Sequence, residues 1–137
     1  MIINQLTLHI EDRSGASWKI FQALADKHVN ILSYSINDEP EYGVLRLIVD
    51  HVNHAKEALA AEGIEVELTP VYSMNVPNEP GSMSKVLKRL ADEEISVDIL
   101  YAFQYRGISQ AILHSNDMER LNAVLTAYEK ERFAINN

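Results

Sequence analysis

One pattern occurs twice in this chain: residues 12–31 read DRSGASWKIFQALADKHVNI, and residues 78–97 read NEPGSMSKVLKRLADEEISV. A shift of 66 residues brings five identities into register: Gly15 with Gly81, Lys19 with Lys85, Leu24 with Leu90, Ala25 with Ala91 and Asp26 with Asp92. Apolar positions outside the pattern align as well, for example Leu8 with Met74. Internal repetition of this kind predicts one structural unit that is present in two copies.

The flanking residues predict the same order of elements in both copies. Alternating apolar and polar residues at 5–10 predict a first strand, and the apolar spacing after Gly15 predicts a helix. In copy one the first helix has an apolar stripe of Trp18, Phe21, Leu24 and Ala25. A second strand opens at 29–32 and a third covers 43–49. A second helix is capped by Asn53 and ended by Gly63, and a fourth strand follows at 64–68. Copy two gives strands at 71–76, 95–103 and 107–113, helical stripes of Met83, Leu87, Leu90 and Ala91 and of Leu121, Val124, Leu125 and Tyr128, and a short final strand of Phe133 and Ile135.

This order is β-α-β-β-α-β, twice, which is the ferredoxin-like unit. We therefore predict an α+β protein of two tandem ferredoxin-like βαββαβ units, each with an antiparallel sheet and two helices on one face. The boundary is placed near Thr69-Pro70-Val71, so the units are residues 1–69 and 70–137. Because almost no linker joins them, the units are expected to pack together, which would protect their sheet edges.

The composition excludes several classes of function. The chain has 12 Lys and Arg residues against 20 Asp and Glu residues, a formal net charge of −8, so no nucleic-acid partner is expected. It has no cysteine, which excludes disulfides, thiolate catalysis and cysteine metal sites. No apolar run approaches the roughly 18–20 residues of a membrane span, and residues 1–6 do not resemble a signal peptide. We expect a cytoplasmic protein without a membrane partner.

The sequence indicates no catalytic, metal or cofactor site. It lacks a nucleophile elbow, a Walker loop and a Gly-x-Gly-x-x-Gly motif. His51 and His54 are three residues apart, but a metal site normally needs three or four protein ligands, and no third one is placed beside them. Acidic pairs such as Glu129 and Glu131 are expected on solvated surfaces. We therefore expect a protein that is not an enzyme and uses no metal or cofactor.

Each copy contains a strand–turn–helix corner with the chemistry to bind a carboxylate. We call residues 12–17 and 78–83 the glycine corners. Main-chain N–H groups and the positive dipole at a helix N-terminus suit an anion, and glycine lets a ligand approach the backbone closely. The second-strand starts, residues 30–32 and 96–98, are expected to run alongside, with Asp98 able to hold an ammonium group. A capped turn that binds nothing explains the same corner residues.

These residues resemble the ACT domain family of small regulatory, amino-acid-binding domains. The resemblance rests on Asn78-Glu79-Pro80-Gly81, the apolar helix after it and the segment ADEEISV at 91–97. It covers nearly the whole chain as two tandem ACT units and is especially similar to stand-alone tandem ACT proteins. Copy one departs from the family at Ser14, where proline is usual, which predicts a looser first corner.

The resemblance implies that ACT units pair side by side and bind a small ligand, usually an amino acid, at the interface between units. The implied binding residues are Asp12, Gly15, Ala16, Asn30, Ile31 and Leu32 in copy one, and Asn78, Gly81, Ser82, Met83, Ser96, Val97 and Asp98 in copy two.

Three functions remain open at this stage. The first is a cytoplasmic, non-enzymatic regulatory protein that binds an amino acid and is expected to form a homodimer. The second is a protein–protein interaction module that regulates a separate metabolic enzyme without binding a small molecule. The third is a small enzyme, which the fold alone does not exclude, although the sequence offers no convergent set of titratable groups.

Overall fold

The computed structural model describes residues 1–11 and 15–136, apart from the side chains of Asp38 and of residues 134–136. The elements in chain order are β1 (Ile2–Glu11), α1 (Ala16–Asp26), β2 (Ile31–Asp38), β3 (Tyr42–Val49), α2 (Val52–Ala61), β4 (Glu67–Asn75), α3 (Ser82–Asp92), β5 (Ile99–Tyr105), β6 (Ile108–His114) and α4 (Met118–Asn136). They form two compact units. The N-terminal unit contains Asn4–Thr69, and the C-terminal unit contains Met1–Ile3 and Pro70–Asn137.

Each unit has the predicted antiparallel sheet with helices on one face. In the N-terminal unit the strand order is β2-β3-β1, and in the C-terminal unit it is β4-β6-β5. The N-terminal core joins buried leucines of β1 and β3 to Ile20 and Leu24 of α1 and Leu59 of α2. The C-terminal core joins β4 and β6 to Leu90 of α3 and Leu121 of α4 in the same way. The predicted tandem ferredoxin-like fold is confirmed.

Three helices end in the same way, and this fixes where the following segment begins. The second residue after the helix has a positive φ: 57° at His28, 73° at Gly63 and 56° at Glu94. The next amide bonds back to the helix, with Val29 N to Leu24 O and Ile95 N to Leu90 O at 3.0 and 2.9 Å. This is the Schellman arrangement, which satisfies the last helical carbonyls. Because their amides are used there, the second strands begin two to four residues later than predicted.

The predicted final strand of Phe133 and Ile135 is wrong, because α4 continues to Asn136. No glycine or proline follows Gly107, so nothing in the sequence breaks the helix. Residues Met1–Ile3 supply strand pairing to the C-terminal unit instead. Ser73 N donates to Met1 O at 2.8 Å, and the Met1 amino group donates to Ser73 O at 3.0 Å.

Three other boundaries and faces also differ from the prediction. Where strands were predicted at 64–68 and 71–76, one strand β4 (Glu67–Asn75) runs through Pro70, whose fixed φ suits an extended chain, and residues 64–66 lie before it. Helix α2 begins after His51, not after Asn53, and no side chain caps it. Trp18 and Ala25 are exposed, because α1 turns Ile20, Ala23 and Leu24 toward the core.

Tyr72 gives the C-terminal core a pH-dependent contact. Its hydroxyl is buried and donates a hydrogen bond to Glu129 Oε1, so Glu129 is not simply solvated as predicted. Burial and this bond raise the pKa of Tyr72 from 10.0 to about 12.

We expect the free energy of unfolding to fall as the pH rises from about 10 to about 12, because the unfolded chain then ionises Tyr72 and the folded chain does not. The loss amounts to roughly 2–3 kcal/mol. Urea unfolding across this range compares the protein with the Tyr72→Phe variant, which removes the contribution while keeping the ring. Parallel curves for the two proteins would contradict the assignment.

Candidate ligand-binding site

Both glycine corners place a left-handed glycine directly before a helix. Gly15 precedes α1 with φ 89° and ψ −8°, and Gly81 precedes α3 with φ 86° and ψ −8°. The first helical bonds are also equal, since Lys19 N and Lys85 N donate to the respective glycine carbonyls at 3.1 Å. No side chain caps either helix. Asp12, a predicted binding residue, lies outside the described residues.

The C-terminal corner leaves main-chain donors available. Ser82 N bonds to Glu79 O at 3.2 Å, whereas the amides of Met83 and Ser84 have no hydrogen-bond partner among the residues that the structure describes. A Cβ atom built on Gly81 would meet nothing within 4 Å, and the same is true of Gly15. Both corners are therefore open on the glycine side, and the C-terminal corner offers donors suited to an anion.

A groove borders each corner. The groove of the N-terminal unit has a volume of about 1250 Å³ and runs past Ala16 and Trp18 to the segment after α2. The groove of the C-terminal unit has a volume of about 1030 Å³ and runs past Asn78 to Arg132 and Phe133 of α4. Neither groove is lined by a second-strand start, so the two predicted halves of the site do not share a groove.

We expect Gly81→Ala to lower the free energy of unfolding by about 1–2 kcal/mol, because a Cβ atom is strained at a positive φ. Gly81→Asn is the matched control and should lose less, since asparagine tolerates this region. Chemical denaturation measures both. Because there is space around the glycine, a loss well above this range would show that the corner is tighter than described.

The second-strand starts do not lie beside the corners of the same unit, which corrects the prediction. In the N-terminal unit, Gly43 pairs with both Ile10 and Asp38, so the corner lies at the end of β2. Ile31 pairs with Val49 at the other end of the sheet. Seven residues of strand separate the two ends, which is about 23 Å. In the C-terminal unit, Ile99 pairs with His114, far from Asn75 and the corner.

The remaining predicted residues have the exposure that a binding surface needs. Five apolar or small side chains are half-buried: Ala16, Ile31, Leu32, Met83 and Val97. Ser82 is also half-buried, and Asn30, Asn78, Ser96 and Asp98 are exposed. A ligand can therefore contact every one of them without unfolding the chain.

Hydrogen bonds hold both second-strand starts in place. In the N-terminal unit, Asn30 N donates to Asp50 Oδ1 at 3.0 Å and Asp50 N donates to Asn30 O at 3.1 Å. In the C-terminal unit, Asp98 N donates to His114 O at 3.0 Å, and His114 Nδ1 lies 2.6 Å from Asp98 Oδ1. Asp50 and His114 were missed as site residues, because their sequence positions show only a strand end and a helix start.

An apolar patch lies beside the second strand of the N-terminal unit. We call Trp18, Tyr34 and Ile36 the edge apolar patch; they are 65%, 66% and 51% exposed. Tyr34 and Ile36 share the helix-bearing face of the sheet, where the Tyr34 ring meets Phe21 edge-on at 5.4 Å. Strand β2 pairs with β3 alone among the described strands, so its other edge is open. In the C-terminal unit, Leu100 is the exposed apolar residue at the position of Tyr34.

The titratable groups within the described residues do not form a metal-binding cluster. His51 and His54 lie 5.2 Å apart by ring centroids, and no group of three possible metal ligands is found in the part of the chain that is described. Arg89 binds Glu131 through two hydrogen bonds of 2.8 Å, which lowers the pKa of that carboxyl. Over the same residues, no helix is long and apolar enough to cross a bilayer.

Comparison with known proteins identifies the repeated unit. A sequence model of the ACT domain pair matches residues 1–136. The chain belongs to the ACT domain family. The ACT resemblance drawn from the two glycine corners is thereby confirmed, including its extent over nearly the whole chain. No curated protein matches this ACT domain pair at a significant level.

Solved structures share the fold of this ACT domain pair. A protein from Bacteroides thetaiotaomicron is 27% identical, with 94% of this chain and 90% of that one covered and a TM-score of 0.87. The ligand-free regulatory subunit of aspartate kinase from Thermus thermophilus is 23% identical, with 93% and 95% covered and a TM-score of 0.60. The corresponding subunit from Thermus flavus is 19% identical, with 95% and 94% covered and a TM-score of 0.56. At these identities the Thermus structures show a shared fold.

Proposed function

We propose that this ACT domain pair is a non-enzymatic regulatory protein that forms a homodimer and binds a free amino acid between two copies. The observation that carries the proposal is the position of the two halves of the site. The open glycine corner, suited to a carboxylate, and the second-strand start, suited to an ammonium group, lie at opposite ends of one sheet. One copy therefore offers two half-sites that a single amino acid cannot bridge.

A two-fold axis through the middle of β2 would complete the site. Two antiparallel β2 strands side by side bring the end of one strand to the start of the other. The glycine corner lies level with Asp38 at the end of β2, and Asn30 directly precedes its start at Ile31. The corner of one copy would then face residues 30–32 of the second copy, twice per dimer.

The edge apolar patch supports this edge as the dimer contact. Exposed aromatic residues in a cluster are a common mark of an interface. Tyr34, at 66% exposure, and Ile36, at 51%, lie on β2 itself, and Trp18 lies on α1, whose Phe21 contacts Tyr34. An open apolar edge is also prone to uncontrolled pairing, which a closed dimer prevents.

Recognition would combine charge with an apolar slot. The carboxylate would bind the amides at the start of the helix, and polar groups at the second-strand start would bind the ammonium group. The half-buried side chains of Ile31 and Leu32 would contact the side chain of the amino acid. Met83 and Val97 are half-buried side chains of the C-terminal unit, on its corner and its second-strand start.

Regulation is the role that the comparisons favour. The Thermus proteins of the same fold are regulatory subunits of an enzyme rather than its catalytic part. We propose that residues 1–69 and 70–137 are two regulatory units of a cytoplasmic protein. The protein binds an amino acid and thereby regulates a separate enzyme.

A thermal-shift screen of the twenty amino acids tests the proposal. A ligand that binds only the folded state increases the free energy of unfolding by RT ln(1 + [L]/Kd), and this raises the melting temperature. We expect one amino acid, or a few of similar shape, to raise it. A flat response to all twenty in protein shown to be dimeric would reject the proposal and leave the interaction-module function in its place.

A further inference from the structure

We propose that Asp50 is the residue that binds the ammonium group, and that the N-terminal unit alone takes up the amino acid. This inference rests on the proposed function and adds to it the residue that decides which unit binds. It predicts one amino acid per chain, although the glycine corners occur in both units.

Hydrogen bonds hold Asp50 beside the second-strand start and use only one of its two carboxylate oxygens, Oδ1. Its Oδ1 accepts the amide of Asn30 at 3.0 Å, and its own amide donates to Asn30 O, which fixes the carboxylate beside the predicted binding residue. Among the described residues, the basic nitrogen closest to Oδ2 is His51 Nε2 at 3.8 Å, too far for a hydrogen bond. The Asp50 side chain is about one third exposed, so a ligand can reach that oxygen.

The C-terminal unit places a different pair at the equivalent position. In the repeat, His114 corresponds to Asp50, and Asp98 corresponds to Leu32. In the C-terminal unit the carboxylate therefore lies directly before β5, and an imidazole occupies the position equivalent to Asp50. His114 Nδ1 lies 2.6 Å from Asp98 Oδ1, a short hydrogen bond that Asp50 does not make with its neighbouring histidine.

This exchange makes the two units unequal as ammonium receptors. At Asp50 the incoming ammonium gains a charge-assisted bond to Oδ2, the oxygen that the Asn30 amide does not use. At the equivalent position of the C-terminal unit the ammonium would meet the imidazole of His114 in place of a carboxylate, and the nearby Asp98 already has Oδ1 bonded to that imidazole. The edge apolar patch favours the same unit, because Tyr34 and Ile36 on β2 are 66% and 51% exposed, whereas Leu100 and Tyr105 on β5 are 43% and 38% exposed.

Equilibrium dialysis with a radiolabelled mixture of the twenty L-amino acids tests the inference on the full-length chain. We expect one equivalent bound per chain at saturation. Asp50→Asn should weaken binding at least tenfold while keeping the fold, because the amide oxygen still accepts the Asn30 amide. Asp92→Asn, which removes a carboxylate that pairs with Lys88 on α3, is the matched control and should bind as the parent protein does.

A competition experiment isolates the ammonium contact. In the parent protein, a mixture of the deaminated carboxylic acids should displace the amino acids at least tenfold less well than unlabelled amino acids do. In Asp50→Asn the two competitors should become equal, since the contact that tells them apart is gone. A merely structural role for Asp50 would weaken both competitors together and keep their ratio.

The outcomes separate this inference from the function on which it rests. Two equivalents per chain, full binding in Asp50→Asn, or loss of binding in Asp98→Asn with retention in Asp50→Asn would overturn the inference while amino-acid binding stands. No binding to any of the proteins, all confirmed as dimers by sedimentation, would reject both.

Discussion

Replacing Leu24 with alanine is expected to lower the free energy of unfolding by about 2–5 kcal/mol, because a fully buried leucine loses both its transfer energy and its packing. Leu90 occupies the same position in the second copy, on α3, and is 1% exposed. Leu90→Ala should therefore fall in the same range. Chemical denaturation followed by circular dichroism measures both losses.

Leu100→Ala is the matched control for these two substitutions. It removes the same atoms from a side chain that is 43% exposed, so its loss should be clearly smaller. If Leu24→Ala and Leu90→Ala cost no more than the control, the two helices do not pack on their sheets as described.

The Tyr34→Lys/Ile36→Lys double variant is expected to be monomeric and to lose amino-acid binding. The two-fold axis through β2 brings the substituted residues of one copy close to those of the second copy. Like charges therefore replace the apolar contact at the dimer edge. The fold should survive, because both side chains are more than half exposed. Sedimentation measures the mass, and the dialysis experiment measures binding on the same sample.

Phe133→Lys is the matched control for the dimer edge. Phe133 is 70% exposed on α4, in the C-terminal unit, so this substitution adds a charge to an exposed apolar site that is not part of β2. We expect it to remain dimeric. A dimer that persists in the double variant would place the contact elsewhere, and monomers that still bind an amino acid would show that one copy holds a complete site.

The repeated pattern was enough to predict the fold, because glycine at the corner and the apolar spacing after it impose the same geometry in both copies. Gly15 and Gly81 have nearly identical backbone angles, as their alignment predicted. The end of the chain was not predictable in this way. Phe133 and Ile135 alternate as in a strand, but they also continue a run of helix-forming residues. Two apolar residues are too few to distinguish the strand period of 2 from the helix period of 3.6.

The candidate site was predicted only in part, for reasons of register. Sequence order placed a corner and a second strand in each unit but did not say which end of the strand lies near the corner. That depends on Gly43 pairing with Ile10 and Asp38, which is a long-range property of the sheet. The partner of Asn30 was missed for the same reason, since Asp50 is 20 residues away in sequence.

A crystal structure of the protein with the amino acid that gives the largest thermal shift is the most direct measurement of where the ligand binds. The account predicts a carboxylate on the main-chain amides at the start of α1 in one copy and an ammonium group on Asp50 of the second copy. An amino acid held entirely within one copy, or a glycine corner filled by the protein's own side chains, would contradict it.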